Sequence, residues 1–171
     1  MNPGETSRLT VFMMRVLVFA ALALALFGIV WLNLKESPQS TERTGQASVI
    51  SDDTVAIPDT RPIRLRGIVA PRDDKYLRQP GGPESTANLR AFVEGKTIKC
   101  EVGQADATAP TTYGLCYLGG RDIGLYQIET GHARDCFDLN MDDTYARAET
   151  QARAQGKDLS AIFPLPDGCK R

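Results

Sequence analysis

The chain has 171 residues, 42% hydrophobic and 24% charged, the composition of a globular protein. Beyond an N-terminal apolar run there is room for one domain of about 120 residues, large enough to bury a single core. A formal net charge of −1 excludes whole-molecule attraction to a polyanion, so a nucleic-acid binder of this composition needs a local basic patch.

Residues 16–34, VLVFAALALALFGIVWLNL, carry no charge. As a helix the run reaches roughly 28 Å, close to the hydrocarbon thickness of a bilayer. Arg8 and Arg15 precede it and Trp31 stands near its far end, as an interfacial anchor would. The run exceeds the apolar region of about 7 to 15 residues found in a signal peptide, and no small-x-small cleavage site follows. We therefore expect residues 1–15 in the cytoplasm, a signal anchor at 16–34 crossing a bacterial inner membrane once, and the remainder in the periplasm. The alternative is a cleaved signal peptide and a secreted domain. Residues 35–47 are polar and predict a flexible linker, which leaves 48–171 as the folded domain.

Within that domain, 48–57 reads as strand, tight polar turn, strand. Residues 62–70 alternate Ile63, Leu65, Gly67 and Val69 against Arg64 and Arg66, the period of a half-buried strand. Gly81-Gly82-Pro83 breaks the chain, and Ser85 or Thr86 can cap a helix carrying Leu89, Phe92 and Val93 that Gly95 stops. Residues 97–102 and 113–118 are strand-like, with a loop over 104–112 between them and a turn at Gly119-Gly120. A short helix is predicted over 123–131, and a clearer one over 142–156, started by Asp142 or Asp143 and closed by Gly156. Tyr145, Glu149 and Arg153 recur every four residues there, so Glu149–Arg153 predicts a helix-surface salt bridge. These elements predict a small α+β domain.

Cys100, Cys116, Cys136 and Cys169 all lie in the part expected to be exported, and an even number there predicts two disulfides. Of the three possible pairings we expect Cys100–Cys116, across two strands that should be neighbours, and Cys136–Cys169, which pins the tail. Metal ligation fits poorly, because no C-x-x-C pair is present.

Arg64-Leu65-Arg66-Gly67-Ile68-Val69-Ala70-Pro71-Arg72 resembles the R-L-x-G-I-D-A-P-E signature of the staphylococcal nuclease-like (thermonuclease) family. Asp53-Thr54-Val55, Tyr113-Gly114, Cys116-Tyr117-x-Gly119-Gly120, Gly131-His132-Ala133 and Tyr145-x3-Glu149-x2-Ala152-Arg153-x2-Gly156 follow the family's order, so the resemblance covers about residues 48–160. It implies a five-stranded OB-type β-barrel with about three helices.

Members of that family cleave phosphodiesters with calcium held by two Asp, a Glu that activates water, and two Arg that stabilise the transition state. Asp53 matches the first metal Asp and Arg64 the first Arg. Val69 stands at the second metal Asp and Arg72 at the general base. The slot for the second Arg falls on Leu115 counting from Tyr113-Gly114, or near Thr111 counting back from Cys116. Neither is Arg. Asp73 and Asp74 are possible substitute ligands, while Asp53 and Arg64 can persist as a turn carboxylate and a strand-surface cation that pair with each other. Arg64, Arg66, Arg72, Lys75 and Arg78 can line a groove for an anionic polymer, polysaccharide or nucleic acid, or form a solvated face balanced by Asp73 and Asp74. His132, the one histidine, reads as a surface or packing residue.

The expected function is a catalytically degenerate, membrane-anchored binding or accessory module of the periplasm. It is similar to exported nuclease-like proteins linked to exopolysaccharide (succinoglycan) biosynthesis. The first alternative is a weak calcium-dependent nuclease with a rearranged site, calcium being its one cofactor. The second is a structural partner in an envelope protein complex.

Overall fold

The structure, a computed structural model, describes residues 13–19, 22, 24, 40–74, 76–103, 108–136 and 143–169. It divides into two units, Met1–Gln39 and Ser40–Arg171. In the first, residues 13–19 are helical (α1), with Met13, Leu17 and Phe19 exposed. Among the described residues no helix is long and apolar enough to cross a membrane. Most of the expected span at 16–34 lies outside the described residues, as do Arg8 and Trp31.

The second unit starts earlier than the sequence predicts. β1 (Thr41–Gln46) pairs antiparallel with β6 (Thr97–Val102), with Thr41 opposite Val102 and Gln46 opposite Thr97. Residues 41–46 are therefore strand and not linker, while 35–39 lie outside the described residues. The polar side chains of β1 are mostly exposed, so backbone pairing, rather than a buried face, recruits residues 41–46 to the sheet.

Ala47 alone separates β1 from β2 (Ser48–Ser51). β2 pairs with β3 (Thr54–Ala56) and β3 with β4 (Ile63–Leu65), both antiparallel. β4 runs parallel to β7 (Thr112–Leu118), which pairs antiparallel with β6. Among the described residues the order is β1-β6-β7-β4-β3-β2, with β8 (Arg121–Asp122) added on β7. The two ends of this path are one run of chain. Ala47 N–H donates to Lys96 O at 2.9 Å, and Gly95 N–H donates to Ala47 O at 2.8 Å, so the junction is held. The sheet consequently curls back on itself.

The strand predicted over 62–70 is broken. Gly67, at φ 84°, turns the chain after β4, and β5 (Ile68–Val69) pairs instead with β9 (Arg134–Asp135). Helix α2 (Gly82–Val93) starts before the predicted cap: Gly81 is its N-cap and Pro83 sits in the first turn, where its missing N–H costs nothing. Ser85 is interior to the helix, fully buried, and donates to His132 O at 2.8 Å. In α3 (Ile123–Glu129) the Asp122 carboxylate caps the Leu125 N–H. Helix α4 (Thr144–Ala154) follows Asp143 and buries Tyr145, Ala148 and Ala152, while Asp142 lies outside the described residues.

The core fills the curl with Val55, Ile63, Leu65, Leu89, Ile98, Ile123 and Ile128, none more than 1% exposed. Both predicted disulfides are present. Cys100–Cys116 joins directly opposed residues of β6 and β7, and Cys136–Cys169 ties the 3-10 turn Asp167–Cys169 to the residue after β9. Glu149 makes the predicted bond to Arg153 at 3.1 Å. It also accepts from the mostly buried Arg134 at 2.8 Å and from Asp135 N–H at 2.9 Å, so it is an interior tie rather than a surface pair alone.

Candidate functional site

The turn between β2 and β3 carries Asp52 and Asp53, which are 4% and 3% exposed. A register shift between Val49 and Ser51 tightens this corner. The helices then hold it from below: Ser85 Oγ and Gln127 Nε2 reach the Asp52 carbonyl at 3.5 and 3.4 Å. Leu65 N–H donates to the Asp53 carbonyl at 2.8 Å, which brings β4, and so Arg64, alongside.

Arg64 Nε donates to Asp53 Oδ2 at 2.6 Å, and Thr54 Oγ1 donates to Asp53 Oδ1 at 2.8 Å. The guanidinium lies 6.0 Å from the ring of Tyr113, its parallel partner on β7. Asp53, Thr54 and Arg64 line a shallow pocket of about 230 Å3 together with Asp52, Arg72, Asp74 and Thr111. The structure thus brings Asp53, Arg64, Arg72 and Asp74 together. It also puts Thr111, rather than Leu115, at the pocket: Leu115 is half-buried on β7, opposite Glu101.

Arg72 Nη2 bonds Asp74 Oδ2, and Asp74 Oδ1 accepts the N–H groups of Tyr76 and Leu77 at 2.8 and 2.9 Å. Those amides, with Arg72 behind them, hold the Asp74 carboxyl below the usual carboxylate range. Asp73 pairs instead with Arg78 at 3.0 Å and does not line the pocket. Arg66 is exposed at the β4–β5 turn, and Lys75 lies outside the described residues. Of the expected basic groove, Arg72 and Arg78 are each matched by a neighbouring Asp. Val69 packs with Cys136 and Phe163 in a small apolar cluster of its own.

The residue that sequence reasoning missed is Asp52. Burial, with Asp53 beside it, pushes its carboxyl up to about 6, against the pull of its own and the Asp73 N–H groups and of Arg64. Adjacent aspartates in a polar turn were the available signal, but the burial comes from α2 and α3. His132 is half-buried against Thr130, at 3.1 Å, and burial lowers its pKa.

A hard divalent cation needs six to eight oxygen ligands in Ca2+ sites. Here both Asp53 oxygens and both Asp74 oxygens already accept hydrogen bonds, and the second aspartate position is an apolar core residue. Among the described residues no three His, Cys, Asp or Glu side chains gather to hold an ion. The donor set does not fit calcium. Arg72, permanently protonated, cannot accept a proton from water.

A scan against protein-family models finds no match, and no curated protein matches the chain.

Proposed function

We propose that the protein is a catalytically silent, thermonuclease-like domain serving as a binding or accessory module of the bacterial envelope. It is held at the inner membrane by residues 16–34, faces the periplasm and acts in exopolysaccharide (succinoglycan) assembly. The fold proposed is the OB-type barrel. Counting β1 and β2 as one bent strand gives five strands, β1/β2, β3, β4, β7 and β6, each bonded to the next around the circuit. Two disulfides support an oxidising compartment.

The observation that carries the silent site is Asp53. Its oxygens are taken by Arg64 and Thr54, in a pocket also lined by an Arg72–Asp74 pair where a base would stand. Loss of a general base alone costs about 10²- to 10⁴-fold in rate. Purified protein incubated with DNA or RNA and calcium should release no more acid-soluble nucleotide than a buffer control.

Asp74 favours one second reading, a rearranged metal-dependent phosphodiesterase, because it lines the same pocket as Asp53 and Arg64. Calcium-dependent cleavage that Asp53→Ala abolishes would establish that reading and overturn the first.

A further inference from the structure

The pocket around Asp53 departs from the pattern of small-molecule sites, which are lined mostly by apolar side chains. Every residue lining it is polar or charged, from Ser51 to Thr54 on the β2–β3 turn to Arg64, Arg72, Asp74 and Thr111. Its volume of about 230 Å3 suits one small ring rather than a drug-sized ligand. Asp52, Asp53 and Asp74 set three carboxylates against the two guanidinium groups of Arg64 and Arg72, a balance of −1 when all are ionised. Protonation of the buried Asp52, whose carboxyl titrates at about 6, brings that balance to zero. The pocket therefore holds no excess positive charge to draw an anion.

Its hydrogen-bonding capacity is only partly used. Arg64 spends Nε on Asp53 and Arg72 spends Nη2 on Asp74, and among the described residues their other side-chain N–H groups meet no acceptor. The hydroxyls of Ser51 and Thr111, both half-buried, likewise have no partner among the described residues. Asp74 Oδ2 and both Asp53 oxygens accept one hydrogen bond apiece, and each keeps a second lone pair. Unspent donors thus share the pocket with unspent acceptors, the surroundings that suit a group able both to give and to receive, as an alcohol is. Tyr113, opposite Arg64 on β7 and 42% exposed, adds an aromatic face 6.0 Å from that guanidinium.

We propose that this pocket binds one neutral sugar ring, a hexopyranose unit of a glycan. The sugar hydroxyls lie among the free N–H groups of Arg64 and Arg72, the Ser51 and Thr111 hydroxyls and the carboxylates of Asp53 and Asp74, while the C–H face of the ring packs on Tyr113. A phosphate or a uronate brings negative charge beside three carboxylates, and an apolar ring leaves the polar lining desolvated and unpaired. The inference rests on the silent-site reading above, because it names the ligand class of that same pocket.

Amide NMR of the full chain tests this, with titration to about 50 mM to cover millimolar affinity. The probes are the methyl glycosides of glucose, mannose and galactose, then glucuronate, inorganic phosphate and cyclohexanol. At least one glycoside should displace the N–H resonances of Ser51 to Thr54, Arg72 and Thr111 saturably. Glucuronate and phosphate should bind more weakly, and cyclohexanol should move nothing. Thr111→Val, which removes an unpaired hydroxyl, should weaken the glycoside by about three- to tenfold, while Thr150→Val, the same change at an exposed position of α4, should not. Tyr113→Ala should weaken it as well. The amide spectrum of each variant reports whether it is folded. The proposal is overturned if no glycoside moves these resonances, if glucuronate or phosphate binds tighter, or if Thr111→Val and Thr150→Val act alike in folded protein. Failure of the silent-site reading shows separately, as calcium-dependent release of nucleotide. An absence of both sugar binding and cleavage overturns this inference and leaves the silent site standing.

Discussion

The bond from Arg64 Nε to Asp53 Oδ2, 2.6 Å long, joins a cation that is 39% exposed to a carboxylate that is 5% exposed. The asymmetry decides the energetics. The half-exposed guanidinium is partly screened by solvent, whereas the buried carboxylate depends on the pair, with Thr54 as its one other hydrogen-bonding side chain among the described residues. Asp53 also raises the pKa of Arg64, against the lowering effect of burial.

Arg64→Met should therefore destabilise the domain by about 1–3 kcal/mol, the cost of leaving a buried acceptor short of a charged donor. Adding Asp53→Asn should recover part of that loss, because the residual charge is removed with its partner. Urea denaturation of the four proteins of the cycle measures the coupling. Strict additivity would mean that the pair contributes nothing.

Asp52 gives the fold a pH dependence of defined sign. Its carboxyl titrates at about 6 in the folded state against 3.8 for an ordinary aspartate. Between those values the folded protein keeps a proton that the unfolded chain has released. The contribution to stability is complete below about pH 4 and is lost as pH rises through about 6. Asp52→Asn should abolish this slope and raise stability at pH 7 on the order of 2 kcal/mol. Chemical denaturation across pH 4 to 7 reads both, and an unchanged slope in the variant would assign the titration elsewhere.

Val69→Asp, which introduces the residue type that the proposed nuclease-like resemblance implies there, should not create a metal site. Val69 is 8% exposed and packs on Cys136 and Phe163. A carboxylate there disrupts the apolar contacts, and Arg134, opposite it across the β5–β9 pair, is already bound by Glu149, so the variant should lose about 1–3 kcal/mol. Thermal denaturation followed by circular dichroism measures it. A variant as stable as the parent would show that the side chain can turn out to water.

The Cys136–Cys169 bond closes a segment with a sequence separation of 33. Replacing both cysteines with serine should cost about 3–4 kcal/mol by loop-closure entropy, and should expose the Val69 cluster that Cys136 shares. Limited proteolysis near the C-terminus should accelerate in step with the loss of stability.

What the sequence carried was local. Arg64 and Asp53 could be paired because both belong to short motifs on a strand and its neighbouring turn, and the disulfides followed from strand adjacency and an even count. Features that depend on distant chain were not legible. β1 presents little apolar surface, so its composition reads as tether although its backbone completes the sheet. Asp52 is buried by Ser85 and Gln127, 33 and 75 residues away in sequence. Glu149 showed its helical partner Arg153, but not Arg134, which reaches it from β9.

On the proposed reading, the pocket around Asp53 does not bind a divalent cation. Calcium titration of the full chain, followed by amide NMR to about 10 mM, above the range of weak extracellular sites, addresses it directly. The N–H resonances of Ser51 to Thr54 and of Asp74 should stay in place through the titration. Saturable displacement of those resonances, absent in Asp53→Ala, would contradict the account.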